Sequence, residues 1–497
     1  MQTIAHFIGG QSVVGPDDGR SPVYNPATGE QQSEVALASS ATVDQVVENS
    51  VRAGLAWAQS SLSTRTEVLF QFRALVASHA QELAEVIASE HGKVLADGLG
   101  EVARGLENVE FACGLGEHLK GAFAHEVATG VDVTSLKAPL GVVVGITPFN
   151  FPVMVPLWMA ANAIACGNAF ILKPSEKDPS ASLLLAELWE KAGLPAGVFN
   201  VVHGDAQAVE QLVAHNDVAA ISFVGSTPVA KHLYETGTRH GKRVQALGGA
   251  KNHMVVLADA DLDLAADAAV SAAFGSSGER CMAISVVVCV EPVGDALVEA
   301  IASRTEKLVV GPASDPLAQM GPLISSEHRD FVTQLVSDAA NSGAKLRVDG
   351  RSCTVANSEG GYFFGPTVVD GVTTQMGVYE REVFGPVLCI VRVNTFDEAV
   401  SLINANPYGN GTAIFTRDGG AARSFVSGVN VGMVGVNVPI PVPVASFSFG
   451  GWKDSLFGSH HMYGPDGFSF FTRTKVTTTR WPDPATSSVD LGFPRTR

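Results

Sequence analysis

Residues 138–172 carry no charged side chain, and this run constrains the fold more than any other feature of the sequence. A helix that crosses a bilayer can be that long. However, four prolines interrupt the run, at Pro139, Pro148, Pro152 and Pro156. Prolines at that density break a spanning helix and leave backbone groups unpaired in lipid. The run therefore predicts the buried centre of a globular protein, and we expect no association with a membrane.

Short apolar strands alternate with helical segments through this run and beyond it. Leu140–Ile146 is a β-branched run of strand length, residues 153–167 have helical character, and Ala169–Leu172 is a second strand. The alternation continues with a helix over residues 181–192, strands over 198–202 and 220–224, and a helix from about residue 228. Buried strands separated by helices form a parallel sheet that binds ligands at the carboxyl ends of its strands. The predicted fold class is α/β, and this unit resembles a Rossmann-type nucleotide-binding domain.

Further elements are expected on both sides of this unit. Apolar positions at helical spacing predict helices over residues 43–61 and 64–91. A second α/β unit begins near residue 250, with strands over Met254–Leu257 and Ser285–Val290 and helices over 262–275 and 294–307. Near the end, Phe468–Arg480 is rich in β-branched and aromatic residues. It predicts a strand that pairs with another strand, for which another subunit is a candidate.

The acidic composition limits the partners of the chain. Its 497 residues carry a formal net charge of −17 and give a pI of about 5.2, which opposes binding to nucleic acid or to an anionic membrane.

The cysteines are scattered singly without a CxxC pair, and the first residues lack a basic segment followed by an apolar run. We therefore expect a reducing, cytoplasmic location. No histidine or cysteine cluster has the spacing of a metal site, so we expect no metal.

Three segments place polar groups just after predicted strands. Asn150 lies in a proline-stiffened turn, where a rigid amide suits a developing oxyanion. Lys173 and Glu176 follow the next strand, and a carboxylate there can accept the hydroxyls of an adenosine ribose. Gly225 and Ser226 end a strand and open a helix, whose first amides suit a pyrophosphate. Each segment on its own is more typical of an ordinary turn or a solvated loop.

Two further segments carry a candidate nucleophile and an acid. Cys281 follows a Gly/Ser-rich turn and stands beside Arg280, and both features can lower the pKa of a thiol. In isolation such a cysteine is more often a structural core residue. Glu382 and Phe384 precede a tight turn, where they could hold a second ribose. Alone, that segment is also more typical of an ordinary turn.

Taken in order, these five segments resemble the aldehyde dehydrogenase superfamily. The resemblance extends from about residue 5 to residue 481 and includes the connecting text over residues 192–204. It implies a homo-oligomer, with a dimer of dimers expected. It also implies an NAD-binding domain over residues 1–124 and 147–250, a catalytic domain over 251–436, an oligomerisation arm over 125–146 and 468–497, and a return segment near the active site over 437–467.

The roles of the superfamily residues carry over to matching positions. The resemblance implies that Cys281 is the nucleophile and that Asn150, together with the backbone N–H of Cys281, stabilises the oxyanion. It implies NAD as the cofactor, held by Thr147, Phe149, Lys173, Glu176, Lys177, Gly225, Ser226, Gly248, Glu382 and Phe384. Lys177 beside Glu176 leaves tolerance for NADP open.

One position departs from the superfamily pattern. Most members that hydrolyse their thioester carry Leu-Glu-Leu-Gly-Gly-Lys, in which the Glu activates water. The corresponding text here is Gln245-Ala246-Leu-Gly-Gly-Ala250, and the methyl group of Ala246 cannot accept a proton. The acyl-enzyme then needs another acceptor, and the thiol of coenzyme A suits a thioester. A base relocated to Glu382, with hydrolysis to a free acid, is the alternative.

Several local motifs are similar to the methylmalonate-semialdehyde dehydrogenase branch, namely those over residues 104–112, 146–152, 249–253 and 470–475. That branch uses two arginines, which match Arg104 and Arg280, and guanidinium groups suit a substrate carboxylate. The resemblance implies NAD-dependent oxidation of malonate or methylmalonate semialdehyde through a Cys281 thioester. Decarboxylation and transfer to coenzyme A then give acetyl- or propionyl-coenzyme A. A non-catalytic protein on the same fold is the remaining alternative. The sequence does not separate the two semialdehydes or locate the coenzyme A pocket.

Overall fold

The charge-free run supplies the two middle strands of an eight-stranded sheet in the computed structural model, which describes residues 2–482 and residue 485. The strands, in chain order, are β1 (Thr3–Ile4), β2 (His6–Ile8), β3 (Gln11–Val13), β4 (Gly19–Asn25), β5 (Glu30–Leu37), β6 (Phe123–Ala128), β7 (Val131–Pro139), β8 (Val142–Ile146), β9 (Ala169–Lys173), β10 (Phe199–Val201), β11 (Val218–Val224), β12 (Arg243–Leu247), β13 (Asn252–Val256), β14 (Ile284–Val290), β15 (Lys345–Val348), β16 (Thr367–Asp370), β17 (Val387–Val393), β18 (Tyr408–Gly409), β19 (Gly411–Phe415), β20 (Met433–Val436), β21 (Trp452–Lys453), β22 (Leu456–Phe457) and β23 (Thr472–Arg480).

The helices, in chain order, are α1 (Ser40–Ala58), α2 (Leu62–Ser78), α3 (Ala80–His91), α4 (Leu95–Cys113), α5 (Leu115–His118), α6 (Met154–Ala165), α7 (Ser180–Lys191), α8 (Ala206–Ala214), α9 (Thr227–Arg239), α10 (Leu262–Phe274), α11 (Gly294–Thr305), α12 (Ser326–Asn341), α13 (Gly377–Glu380), α14 (Phe396–Ala405), α15 (Gly419–Gly428) and α16 (Gly464–Phe470).

The first sheet has eight strands in the order β22-β12-β11-β8-β9-β10-β2-β3. The strands from β12 to β10 are parallel, and the flanking strands are antiparallel. Every residue of β8 and β9 is buried, as expected for a parallel sheet covered on both faces. The fully buried α6 packs on one face with α2 and α7, and α1, α8 and α9 cover the other. This arrangement confirms the predicted α/β, Rossmann-type unit.

The second sheet has seven strands in the order β15-β16-β17-β14-β13-β19-β20. All its pairs are parallel except the edge pair of β15 with β16. Helices α10 and α11 cover one face, and α12, α13, α14 and α15 cover the other. The carboxyl end of the first sheet and the chain between α10 and β14 supply the residues of the candidate site.

Three boundaries predicted from the sequence are wrong. Residues 64–91 form two helices because His79 leaves helical geometry, with φ −104° and ψ 15°. The predicted bounds place Val142–Ile146 in the arm, but this strand is apolar on both faces and pairs with β9 and β11 inside the first sheet. The predicted arm strand begins at Phe468, but Phe468 and Phe470 both lie in α16 and are fully buried.

The arm is a separate three-stranded sheet of β6, β7 and β23. The terminal strand pairs with β7 of its own chain from Thr472 opposite Pro139 to Arg480 opposite Val131. Phe123 on β6 is 64% exposed and Val476 on β23 is 61% exposed, so the sheet presents apolar surface to solvent. A role in oligomerisation stays a prediction, and residues 483, 484 and 486–497 of the predicted arm lie outside the described residues. Among the described residues, no helix has the length and apolar character needed to cross a membrane.

Candidate active site

Cys281 follows a backbone turn with an unfavourable conformation, which hydrogen bonds to neighbouring segments stabilise. After α10 the chain makes a 3-10 turn in which Ser276 and Ser277 have φ of 49° and 55°, and Gly278 has φ of 71°. Left-handed conformations at two consecutive serines are unfavourable and concentrate at functional sites. The Ser276 N–H donates to Asp97 Oδ2 at 2.9 Å, and the Ser277 hydroxyl donates to the Gly321 carbonyl at 2.8 Å. These contacts fix the turn and therefore the position of the thiol.

The backbone of Cys281 is also fixed from the second sheet. Its carbonyl accepts hydrogen bonds from Asn252 Nδ2 at 2.9 Å and from Asn410 Nδ2 at 3.1 Å. Asn252 begins β13 and Asn410 lies between β18 and β19, so both donors stand on strands of the rigid scaffold or next to them. A nucleophile held by its backbone keeps its position while its side chain reacts.

Asn150 is buried in the turn between β8 and α6. One N–H of its side-chain amide is taken, because Asn150 Nδ2 donates to the Glu279 carbonyl at 2.9 Å. An amide nitrogen has two N–H groups, so the second is available to an oxyanion formed on a substrate. Both Asn150 and Cys281 line the same cavity. The structure thus brings the predicted nucleophile and the predicted oxyanion donor together.

A buried ion pair that the sequence analysis missed positions this turn. Lys93 Nζ lies 2.7 Å from Glu101 Oε2 and also donates to the Asn150 carbonyl. Glu101 Oε1 accepts from the amides of Val153 and Met154 at the start of α6, at 2.8 and 3.1 Å. Buried charges are tolerated when they are paired and hydrogen-bonded in this way. Lys93 and Glu101 therefore hold the main chain on both sides of Asn150.

A second missed residue is Glu279, two positions before Cys281. Its side chain is fully buried, and burial raises the pKa of its carboxyl to about 8. Its Oε1 accepts from the Ile324 amide at 3.3 Å. The carboxyl is therefore largely neutral at pH 7 and ties the nucleophile's turn to the chain before α12. No sequence motif pointed to it.

Two cavities meet at Cys281. The first, of about 480 Å³, is lined by Arg104 and Arg280 and by several apolar side chains, among them Trp158 and Phe449. The second, of about 280 Å³, is lined by Phe149, Asn150, Lys177, Gly225, Ser226, Gly248, Glu382 and Phe384. The predicted carboxylate-binding arginines and the predicted cofactor residues therefore approach the thiol from different cavities. A substrate in the first cavity can meet a cofactor in the second only at Cys281.

Both predicted arginines lie in the first cavity. Arg104 Nη1 contacts Glu107 Oε2 at 2.7 Å, and Arg104 Nη2 donates to the Pro443 carbonyl at 3.2 Å. Arg280 Nη2 donates to Asp97 Oδ1 at 2.8 Å. Guanidinium groups fixed in this way offer their remaining N–H groups in a defined direction. The cavity can therefore bind a small aldehyde whose far end carries a carboxylate.

The second cavity provides groups that suit the pyrophosphate of a dinucleotide. Ser226 precedes α9 without capping it, and Pro228 has no N–H, so the amides of Thr227 and Val229 are the donors in the first turn that suit a pyrophosphate. A Cβ at Gly248 would lie 2.7 Å from the Asp454 carbonyl, and one at Gly249 would lie 2.3 Å from Glu382 Oε2. Only glycine lets the backbone approach this closely.

The residues predicted for the adenosine ribose occupy a separate place. Lys173 ends β9 and Glu176 follows it. The two side chains form an ion pair of 3.4 Å, and neither lines the second cavity. Thr147 is buried beside them, and its amide donates to the Lys173 carbonyl at 3.1 Å. Lys177 Nζ lies 5.6 Å from the centre of the Phe149 ring, inside the cavity. Their ribose-binding role stays a prediction.

Glu382 and Phe384 stand at the end of the second cavity near the thiol. Phe384 has φ of 52° and packs edge-on against Phe149, with ring centres 5.9 Å apart. Glu382 Oε1 accepts from the Ala250 amide at 3.0 Å. Burial of this carboxylate raises its pKa to about 7. Glu382 is thus a group that can gain or lose a proton near neutral pH in the same cavity as Cys281.

Ala246 is fully buried in β12, opposite Phe223 of β11 and Phe457 of β22. Its methyl group belongs to an apolar cluster with Ile146, Phe223 and Val244. No proton acceptor is supplied to the thioester from this position. Among the described residues there is also no group of three or more His, Cys, Asp or Glu side chains arranged to hold a metal ion.

The thiol of Cys281 is kept protonated in the absence of ligands. Desolvation, followed by the nearby charge of Glu382, raises its pKa to about 12. Because the thiolate fraction rises tenfold per pH unit below the pKa, we expect the rate of alkylation of Cys281 by iodoacetamide to rise about tenfold per unit from pH 7 to 9. Peptide mass spectrometry on the ligand-free enzyme measures this rate and separates Cys281 from the other cysteines.

The variant Glu382→Gln removes the nearby negative charge and should speed alkylation at a fixed pH. The exposed Glu380, two residues away in α13, provides a matched control, and Glu380→Gln should leave the rate unchanged. A rate that reaches a plateau below pH 9 would show that the thiol is already activated before ligands bind.

This arrangement of a fixed cysteine, an amide donor and a nucleotide-compatible cavity agrees with the comparisons with known proteins. The family model described as "Aldehyde dehydrogenase family" matches residues 13–477. The chain therefore belongs to the aldehyde dehydrogenase family. It is 53% identical to the malonate-semialdehyde dehydrogenase of Pseudomonas aeruginosa, over 99% of this chain and 100% of that protein. It is 46% identical to malonate-semialdehyde dehydrogenase 2 of Geobacillus kaustophilus, over 97% and 99% of the two chains.

Solved structures agree with these relatives. The crystal structure of methylmalonate-semialdehyde dehydrogenase from Oceanimonas doudoroffii matches with a TM-score of 0.96 and 51% identity, over 98% of this chain and 99% of that one. A structure from Sinorhizobium meliloti 1021, solved in complex with NAD, matches with a TM-score of 0.97 and 49% identity over the same shares. The predicted family, fold and enzymatic nature are confirmed.

Proposed function

We propose that the protein oxidises malonate or methylmalonate semialdehyde with NAD and transfers the resulting acyl group to coenzyme A. One observation carries the proposal: the cavity that reaches Cys281 holds Arg104 and Arg280, while position 246 carries a methyl group. The arginines provide a receptor for a substrate carboxylate. The methyl group removes the base that hydrolytic relatives use at this position. The names of the similar proteins from Pseudomonas aeruginosa and Oceanimonas doudoroffii support the same substrates.

The first half of the reaction belongs to Cys281 and Asn150. The Cys281 thiol first loses its proton to water or a buffer base. The resulting thiolate attacks the aldehyde carbon, and the free N–H of the Asn150 amide stabilises the oxyanion. When bound at the second cavity, NAD would accept the hydride that leaves this adduct. Collapse of the adduct leaves an acyl thioester on Cys281. Arg104 and Arg280 bind the substrate's carboxylate in the first cavity, which the predicted nucleotide contacts do not line.

The second half uses the carboxylate that the arginines bind. In a β-carboxy thioester, the electron pair of the bond to the carboxylate carbon can move onto the thioester carbonyl, which releases CO₂ and leaves an enolate. The amide that served the first oxyanion can stabilise this enolate until the carbon is protonated. The thiolate of coenzyme A then attacks the thioester, and Cys281 leaves as a thiolate. Acetyl-coenzyme A results from malonate semialdehyde, and propionyl-coenzyme A from its methyl homologue.

A hydrolytic aldehyde dehydrogenase is the second candidate, and Glu382 is the observation that favours it. Its carboxyl has a pKa raised to about 7 by burial, and its charge acts on Cys281. A carboxylate with that pKa suits a general base for water. However, its Oε1 is already engaged by the Ala250 amide, which fixes it against the glycine turn. We therefore favour coenzyme A as the acceptor.

Coenzyme A dependence tests the proposal directly. With malonate semialdehyde and NAD, we expect coenzyme A to raise the steady-state rate of NADH formation at least about tenfold, because water attacks a thioester slowly without a base. Chromatography of the products should show acetyl-coenzyme A. Equal rates with and without coenzyme A, with a free acid as product, would contradict acyl transfer. In that case Glu382→Gln should abolish the coenzyme A-independent rate, while Glu380→Gln should not.

We also propose that the chain works as a homo-oligomer, with a dimer of dimers expected, in the cytoplasm. The exposed apolar side chains of the arm support the oligomer, among them Phe123, Leu136 and Val476. Apolar surface of this kind is typical of a protein interface. Light scattering on the purified protein measures the number of subunits.

A further inference from the structure

One face of α4 carries three charged residues in the direction of the active site. Asp97, Glu101 and Arg104 are spaced by four and three residues, which places them on one side of a helix. Each of them lines the first cavity. Glu101 acts on the Asn150 turn and Arg104 is a predicted receptor of the substrate. The role of Asp97 is not explained by the catalytic steps above.

Asp97 contacts two residues of the nucleophile's turn. Its Oδ2 accepts from the Ser276 amide at 2.9 Å and from the Ser276 hydroxyl at 3.2 Å, and its Oδ1 accepts from Arg280 Nη2 at 2.8 Å. The same Ser276 hydroxyl accepts from Arg280 Nε at 3.2 Å. The three residues therefore form a closed set of hydrogen bonds. Both charged partners are about one-fifth exposed, at 21% and 23%, so solvent screens their interaction only in part.

This set leaves one part of the Arg280 guanidinium open. Its Nε and Nη2 are engaged, whereas its Nη1 has no hydrogen-bond partner among residues 2–482. The guanidinium also packs closely on Gly275, where a Cβ would lie 2.5 Å from Nη1 and 2.8 Å from Nη2. A planar guanidinium fixed at two nitrogens can present its third nitrogen in only one direction. The structure thus holds Arg280 in a single orientation, at the wall that the first cavity shares with a neighbouring cavity lined by Gly275 and Arg304.

Net charge cannot provide the selectivity of this cavity. Arg280 is paired with Asp97, and Arg104 is paired with Glu107 at 2.7 Å. The two arginines and the two carboxylates cancel in formal charge. Selectivity for a carboxylate must therefore depend on where the free N–H groups point, and not on an excess of positive charge.

We propose that Asp97 is a positioning residue that sets the selectivity of the enzyme for aldehydes with a carboxylate, by holding Arg280 in its receptive orientation. This inference rests on the proposed function, which assigns the carboxylate to Arg104 and Arg280. It makes a prediction opposite to that of simple electrostatics. Removal of the Asp97 charge makes the cavity more positive, yet binding of the carboxylated substrate should weaken because Arg280 loses its fixed orientation.

Steady-state kinetics with malonate semialdehyde and with propanal, which has the same carbon chain without the carboxylate, test this inference. For Asp97→Asn we expect kcat/KM for malonate semialdehyde to fall about tenfold or more, mainly through a higher KM. For propanal we expect a fall of less than about threefold. Glu110→Gln is the matched control, because Glu110 lies on α4 in an exposed ion pair of 2.6 Å with Arg73, and it should change neither value.

A chemical measurement covers the case in which Asp97→Asn folds poorly. Iodoacetate and iodoacetamide alkylate the same thiol and differ by a carboxylate, so the ratio of their rates at Cys281 reports the receptor without turnover. Ser276→Ala removes the hydroxyl that Asp97 and Arg280 share and keeps the charge of Asp97. We expect this variant to lower both the rate ratio and the preference for malonate semialdehyde, by less than Asp97→Asn does.

The outcomes separate this inference from the proposed function. A lower KM for malonate semialdehyde in Asp97→Asn, or equal losses with both aldehydes, overturns the inference, because Asp97 would then only stabilise the turn. If the preference for malonate semialdehyde over propanal survives in Asp97→Asn but is lost in Arg280→Lys, the inference about Asp97 is overturned and the proposed function is not. A wild-type enzyme that does not prefer malonate semialdehyde to propanal overturns the proposed function, and the inference with it.

Discussion

Replacing Cys281 by alanine is expected to lower NADH formation by at least about four orders of magnitude, since removal of a catalytic nucleophile has effects of this size. The thiol is the one group that lines both cavities and can form the covalent bond to the aldehyde carbon. The loss should appear with malonate semialdehyde and with propanal alike, because the nucleophile serves every aldehyde. Stopped-flow absorbance at the NADH band measures both the first turnover and the steady state.

Two controls give this result its meaning. Cys281→Ala should bind NAD as the parent enzyme does, because the thiol is not a predicted contact of the cofactor. Cys353→Ala, at a cysteine outside both cavities, should keep full activity. A first turnover of NADH that persists in Cys281→Ala would show that oxidation proceeds without a thioester, and the proposed mechanism would then be wrong.

Asn150→Ala is expected to lower kcat about 10²- to 10³-fold, which is the usual effect of removing one oxyanion donor. The change should spare the surrounding turn, because Lys93 binds the Asn150 backbone carbonyl and Glu101 binds the amides of Val153 and Met154. KM should change little, since the lost interaction forms only when charge develops on the substrate oxygen.

The alkylation rate of Cys281 is a useful companion measurement for Asn150→Ala. Alkylation by iodoacetamide forms no oxyanion, so its rate should remain within about twofold of the parent enzyme. A parallel fall in turnover and in alkylation would mean that Asn150 acts by placing the thiol through its contact with the Glu279 carbonyl, at 2.9 Å, and not by stabilising charge.

Much of the fold could be predicted from the sequence because the signals are local. Strands such as Ala169–Lys173 are apolar on both faces, and the residues that follow them lie at the carboxyl end of the sheet by necessity. Asn150, Gly225 and Ser226 were found for that reason. The family resemblance alone places the strand Val142–Ile146 in the arm. Its apolar pattern indicates the central sheet, where the strand lies.

The supporting residues could not be predicted in the same way. Asp97 reaches Ser276 across 179 positions of the sequence, and Lys93 reaches the Asn150 carbonyl across 57. Contacts of that range depend on how α4 packs against α6 and the nucleophile's turn, which no short motif encodes. Asp97, Glu101 and Arg104 are spaced as one face of a helix, but such spacing is common on solvated helices and does not by itself indicate a site.

Helix α4 joins the thiol's turn, the amide donor and the arginine receptor through Asp97, Glu101 and Arg104. All three parts are therefore attached to the same helix of 19 residues. A displacement of this helix moves all three of them together. A substitution that weakens the packing of α4 far from the active site should then reduce the fraction of molecules that are catalytically active. The competent molecules that remain should keep the rate constants of the intact enzyme.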